Sequence, residues 1–326
     1  MNPHRRWTLK AGAALGMALP WMAALADDYP SHPLRLMVPF AAGGTSDVVA
    51  RIVAQKLSTL LGQQVVVENK GGANGNIGTD LAAKSPGDGY NLLLSFDGTM
   101  AINPHTYKKL TFDPQKDFTP VMNVGNVPLI FVVHPSVKAN TIQEFVALVK
   151  ASPASIFYSS AGQGSTGHLT GELFASRSGI RMSHVPYKGG GAAVQDLLGG
   201  QIQMMVTALP TVEGHLKSGR LRALAVSSST RMPSLPGVPT LAESGLPGFD
   251  VRSWYGVFAP SATPPGLIKR LNTELQKAIA DKDVRERFAT LGIDPLGGSA
   301  EDFAATVRTD SARWAKVVAD AGITLE

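Results

Sequence analysis

The stretch from Leu34 to Glu68, LRLMVPFAAGGTSDVVARIVAQKLSTLLGQQVVVE, decides the fold class. Leu34 to Val38 is a short apolar run of strand length. Asp47 to Leu61 places Val48, Val49, Ile52, Val53, Leu57, Leu60 and Leu61 at a helical period, and Gln64 to Glu68 is strand-like again. The rhythm continues with a helix over Ile77–Lys84 and a strand over Leu92–Phe96. A β-α-β-α-β run predicts an α/β fold whose mostly parallel sheet is flanked by helices on both faces.

Outward from this unit, Asn103 to Pro128 is rich in Pro and Asn, and Leu129–Val133 opens a second series. Helices are expected at Ile142–Lys150, Gly167–Ser178, Ala192–Leu198 and Val212–Lys217, with strands at Ile156–Ser159, Met182–Val185, Ile202–Val206 and Arg222–Val226. Arg231 to Gly248 reads as a Pro- and Gly-rich connector, Trp254–Ala259 as a strand, and Leu267–Asp281, Val284–Leu291 and Ala300–Ala319 as helices. The tail holds too little strand for a sheet of its own. Two α/β domains are therefore expected, residues 27–128 with 253–326 and residues 129–252, joined by two crossings that make a hinge with a ligand cleft.

The N-terminus begins with Arg5, Arg6 and Lys10, continues in the apolar run Ala11–Leu25, and ends in Ala24-Leu25-Ala26 before two aspartates. This is the pattern of an export signal, residues 1–26, with Arg5-Arg6 compatible with either the general or the twin-arginine route. The chain's formal charge of +5 invites a polyanionic partner. Without residues 1–26, however, 27 basic residues face 25 acidic ones, and no basic block remains. Neither nucleic acid nor a membrane span is expected, since no other apolar run reaches about 18 residues. The absence of cysteine excludes a disulfide scaffold, a thiol nucleophile and sulfur-ligated zinc.

Two Gly-rich loops each leave a predicted strand and open a helix: Pro39 to Asp47 (PFAAGGTSD) and Ser159 to His168 (SSAGQGSTGH). Glycines let backbone approach a ligand, and the first amides of a helix lack intrahelical partners and carry the positive end of its dipole. Each loop is thus a candidate anion cradle, or else Thr45, Ser46, Ser165 and Thr166 cap their own helices. Gly162 to Gly167 also fits G-x-G-x-x-G, but no acid follows near Met182–Tyr187, so a dinucleotide site is not supported. No Walker A sequence, G-x-S-x-G elbow or metal-binding histidine spacing occurs, so no cofactor, metal or catalytic residue is expected. Ser160 or Ser165 with His168 is the one hydrolase pairing left, and it lacks an orienting acid. Asp47 either caps amides or meets a donor on the ligand, and His168 either touches ligand or bonds nearby backbone.

Val38 to Asp47 and Glu68-Asn69-Lys70-Gly71-Gly72-Ala73-Asn74-Gly75-Asn76-Ile77-Gly78 resemble the extracytoplasmic solute receptors of the tripartite tricarboxylate transporter type, also called Bug receptors. Pro86-Gly87-Asp88-Gly89-Tyr90, His168 to Phe174, His184 to Gly189, Leu224 to Ser227 and Val238-Pro239-Thr240 extend the likeness across the chain. Lys70-Gly71-Gly72 departs from the more usual Lys-Pro-Gly. The resemblance implies a type II, flytrap-like periplasmic binding protein whose first and last segments form one domain. It implies a small carboxylate ligand, membrane components of a tripartite tricarboxylate-type transporter as partners, a monomer, and no catalysis. Carried over, the ligand contacts would be Phe40, Ala42, Gly43, Gly44, Thr45 and Asp47 from the first loop. The second loop would add Ser160, Ala161, Gly162, Ser165, Thr166 and His168, with Ser95, Thr99, Tyr187 and Thr207 lining the rest. A ligand-sensing receptor without transport would use the same site, and an exported serine hydrolase is the remaining alternative.

Overall fold

Strand β1 (Leu34–Val38) is buried on both faces, which is why it reads as a continuous apolar run rather than an alternating one. The computed structural model describes residues 29–151 and 156–321, and the export-signal expectation for residues 1–26 lies outside the described residues. After β1 come α1 (Thr45–Leu61), β2 (Val65–Asn69), α2 (Asn76–Ala83), β3 (Asn91–Phe96), α3 (Asn103–Thr106) and β4 (Phe118–Val133). The next series is α4 (Ile142–Ala151), β5 (Phe157–Ser160), α5 (Thr166–Ser178), β6 (Ser183–Pro186), α6 (Gly190–Leu198), β7 (Met204–Ala208), α7 (Leu209–Lys217) and β8 (Arg222–Val226). The chain closes with β9 (Arg252–Pro260), α8 (Pro265–Ala280), α9 (Lys282–Thr290), β10 (Asp294–Gly297) and α10 (Ala300–Ala321).

Helix α1 shows how the opening stretch folds. Its buried stripe is Val49, Ala50, Ile52, Val53, Ala54 and Leu57, and the helix stops at Gly62, whose φ of +69° is the left-handed cap glycine adopts freely. Each fully buried Leu or Ile of this kind stabilises by about 1.5–3 kcal/mol relative to exposure.

The strand order is β2-β1-β3-β9-β4-β7-β5-β6, with β8 and β10 also paired to β4. Strand β1 runs parallel to β2 and β3, and β5 runs parallel to β6 and β7. The α/β class and flanking helices stand, but the parallel description holds for these outer strands alone. Strands β4 and β9 bridge the two halves and are antiparallel to each other and to β3, β7, β8 and β10.

Strand β4 begins eleven residues before the expected start at Leu129. It is continuous over 16 residues, pairing with β9 through Phe118–Pro128 and with β7 and β8 through Leu129–Val133. Its prolines remove ladder donors. Pro120 sits at a register shift against β9, and Pro128 sits where β4 exchanges one partner strand for two others. Strand β10, Asp-Pro-Leu-Gly, was not expected either and pairs with Asn123–Asn126 of β4. Helix α8 packs on α1 and β4, and α10 packs on β4 and a π-helical turn at Gly98–Ile102, so the tail lies against the β1–β3 side.

Candidate functional site

Four helices begin around one small cavity between the two halves of the sheet. Thr45 and Ser46 of α1, Thr166 and Gly167 of α5, Gly190 of α6 and Thr211 of α7 all line it. The sequence had offered two such helix starts. Helix α5 is capped by Ser165, whose hydroxyl accepts from the His168 amide at 3.3 Å. Helices α1, α6 and α7 have no side-chain cap; their N-cap residues are Gly44, Gly189 and Ala208. Their first-turn amides, Pro210 of α7 having none, therefore lack an intrahelical partner and an N-cap side chain, and the dipoles add positive character at the same place.

Glycine makes this convergence sterically allowed. A β-carbon on Gly191 would lie 2.1 Å from the Ala42 carbonyl oxygen, and one on Gly167 would lie 2.6 Å from the Val206 carbonyl oxygen. The Ala41 amide donates to the Lys188 carbonyl at 3.2 Å, and the cavity-lining Thr45 and Thr211 hydroxyls share a 2.9 Å hydrogen bond. The cavity holds about 40 Å³. That is room for a few waters and not for a dicarboxylate. None of its lining residues carries a formal charge.

Asp47 supports the first loop from behind. Its Oδ2 accepts from the Gly43 amide at 3.0 Å, its Oδ1 from Asn69 Nδ2 at 3.0 Å, and Arg51 pairs with it at 2.9 Å. Burial alone would raise its pKa, but the hydrogen bonds from Arg51, Gly43 and Asn69 outweigh burial and hold it below the usual carboxylate range.

His168 likewise serves the second loop. Its Nδ1 accepts from the Gly164 amide at 3.0 Å, which makes it the Nε2–H tautomer facing Glu172 at 3.8 Å. It stacks on His184 with ring centroids 3.9 Å apart, and His184 Nε2 lies 2.8 Å from Ser160 Oγ. Burial, with His168 alongside, lowers the His184 pKa to about 3, so this imidazole is neutral. Ser160 is wholly buried, and its hydroxyl also lies 2.9 Å from the Gly162 carbonyl.

Of the residues singled out in the sequence, Phe40, Gly44, Thr45, Ala161, Ser165, Thr166 and Thr207 line the cavity. Ala42, Gly43, Asp47, Ser95, Thr99, Ser160, Gly162, His168 and Tyr187 do not. Thr99 is buried in the π-helical turn and donates to the Asn74 carbonyl, and Tyr187 donates to Asp196. Ser46 and Gly167 from the same loops, and Phe96 and Ala208 from the strand ends beside them, also line it; the lining residues not anticipated are Leu129, Gly190, Val206, Thr211, Ser253 and Tyr255. Gly189-Gly190-Gly191, and Pro210 in the first turn of α7, were available as helix-start signals. Ser253 and Tyr255 carried none; they reach the cavity as alternate residues on one face of β9.

The family model described as the tripartite tricarboxylate transporter family receptor matches residues 49–323. The chain belongs to this receptor family. Protein BugT of Bordetella pertussis is 40% identical over 315 residues, covering 96% of each chain. The structure of the periplasmic binding protein BugD superposes with a TM-score of 0.88 at 37% identity, over 91% of this chain and all of that one. Rpa4515 of R. palustris, solved with adipate, superposes with a TM-score of 0.89 at 36% identity, over 91% of this chain and 99% of that one. Fold and family are those of tripartite tricarboxylate receptors, which bind solutes.

Proposed function

We propose that this receptor captures a small carboxylate between two lobes in the periplasm and delivers it to the membrane components of a tripartite tricarboxylate-type transporter, acting as a monomer without catalysis. The lobes are residues 27–128 with 253–326 and residues 129–252, hinged where β4 and β9 cross. The observation that carries this reading is the convergence of four helix starts, three without side-chain caps, on a cavity lined by no formal charge. Such a place attracts an anion through backbone amides, each helix start contributing about 0.3–1 kcal/mol and more when partly buried. The adipate in Rpa4515 supports the ligand class. The cavity's 40 Å³ supports capture by opening and closing, because a dicarboxylate needs the lobes to part first.

The contacts are the cavity-lining residues from both Gly-rich loops, with Thr207, Thr211, Ser253 and Tyr255 completing the wall. Asp47 and His168 hold those loops in shape. Thermal unfolding of ligand-stripped protein against a panel of small carboxylates tests this reading. A native-state ligand at about a hundred times its Kd stabilises by about 2.7 kcal/mol. A raised Tm with one or more carboxylates is expected, and no shift across the panel contradicts it. Loss of labelled-carboxylate uptake in a deletion strain tests delivery; unchanged uptake contradicts it.

A further inference from the structure

Asp97 follows directly on β3 and is wholly buried behind the cavity wall. Its Oδ1 accepts from the Thr166 hydroxyl at 2.8 Å and from the Ser253 hydroxyl at 2.5 Å, while its Oδ2 has no hydrogen-bond partner. Thr166 and Ser253 both line the cavity. A hydroxyl has one proton to give, and both of these are spent on Asp97, so each hydroxyl offers the cavity lone pairs alone. A third lining hydroxyl is committed in the same way: Ser165 donates to Ser160 Oγ at 3.0 Å and accepts from the His168 amide. The wall therefore combines backbone amides, which only donate, and three hydroxyls that only accept, with the hydroxyls of Thr45, Ser46, Thr207, Thr211 and Tyr255 beside them.

We propose that Asp97 is the positioning residue for ligand choice in this receptor: by taking the protons of Thr166 and Ser253 it makes their wall an acceptor surface. That surface selects carboxylates carrying a hydroxyl or ammonium donor over carboxylates of the same length without one. The inference rests on the carboxylate-receptor reading and deepens it. A methylene placed against these oxygens leaves them dry and unpaired, and a second carboxylate meets lone pairs with lone pairs. Aspartate suits the task better than asparagine, because a carboxylate has no N–H with which to turn the two hydroxyls around. Burial raises the Asp97 pKa to about 7, with Asp310 adding to the rise and the two hydroxyl donors opposing it.

The test is calorimetric titration of the ligand-free receptor with matched sets: succinate, malate and aspartate; propionate, lactate and alanine; adipate, 2-hydroxyadipate and 2-aminoadipate. The expected result is that, in the set that binds, a donor-bearing member binds at least tenfold more tightly than the plain one. The hydroxy and amino arms identify which donor the wall takes. Ser253→Ala should bring that ratio towards 1, and Asp97→Asn should narrow it too. Thr166→Val serves if Ser253→Ala does not fold. A merely structural role for Asp97 would weaken all members alike. Equal binding of plain and donor-bearing members by the unaltered receptor, or an unchanged ratio in the folded Ser253 or Thr166 variant, overturns the inference and leaves the receptor reading intact. Binding of no carboxylate at all overturns both.

Discussion

Gly191, in the first turn of α6, faces the carbonyl oxygen of Ala42 so closely that a β-carbon on it would lie 2.1 Å away. The contact joins the start of α6 to the loop that opens α1, and nearby the Ala41 amide donates to the Lys188 carbonyl. Backbone is on both sides, so neither partner yields cheaply.

Gly191→Ala should therefore hold the two helix starts apart. Helix α6 itself tolerates alanine, which has a better helix propensity than glycine. The expected outcome is a loss of at least tenfold in carboxylate affinity with a folded protein, read by calorimetry and circular dichroism. Undiminished affinity would show that closure does not depend on this contact.

Asp47 gives a prediction of opposite character, because it acts on the fold of the loop. Asp47→Ala leaves the Gly43 amide without its acceptor and Arg51 and Asn69 without their partner, and should cost about 1–3 kcal/mol. The folded pKa lies below the unfolded one. The stabilisation is thus fully present above about pH 4 and is lost as pH falls through the folded value. Urea unfolding at pH 7 and pH 3 should show the gap between the parent and Asp47→Ala shrinking at the lower pH. A gap independent of pH would contradict the account.

Asp97 carries the reverse sign. Its folded pKa of about 7 lies above that of the unfolded chain, so the native state binds the extra proton. This group's contribution to stability therefore falls as pH rises from about 4 through 7. Asp97→Asn should gain stability relative to the parent between pH 5 and pH 8, measured by denaturant unfolding at both. A difference that stays constant over that range would place the proton elsewhere.

His184 is a base lowered to about 3, by burial and then by His168. Its stabilisation is present above the unfolded value near 6.5 and is lost as pH falls towards 3. His184→Gln should remove part of the acid sensitivity in that window. Because Ser160 beside it is wholly buried, a fluorophosphonate probe should leave the native protein unlabelled. Labelling at Ser160 would revive a hydrolase reading.

Much of this was legible in residues 34–68, where apolar period, glycine position and strand length agree with the fold. The loops before α1 and α5 stood out for the same reason: local chemistry fixes where a helix starts. What stayed hidden depends on distant pairing. Phe118–Pro128 has prolines that argue against a strand, yet it forms one because β9 lies alongside and register shifts absorb the missing donors. Ser253 and Tyr255 belong to no motif and become cavity residues through the pleat of β9. Asp97 reads as an ordinary loop acid until Thr166 and Ser253, far away in sequence, close over it.

The central claim is that uncapped helix starts, rather than charged side chains, hold a carboxylate in this receptor. Its most direct test is titration calorimetry of ligand-stripped protein with each small carboxylic acid beside its own neutral carboxamide. The account predicts one-to-one binding of at least one carboxylate and a large loss, tenfold or more, for the matching amide. Equal binding of acid and amide, or no binding by any carboxylate, would contradict it.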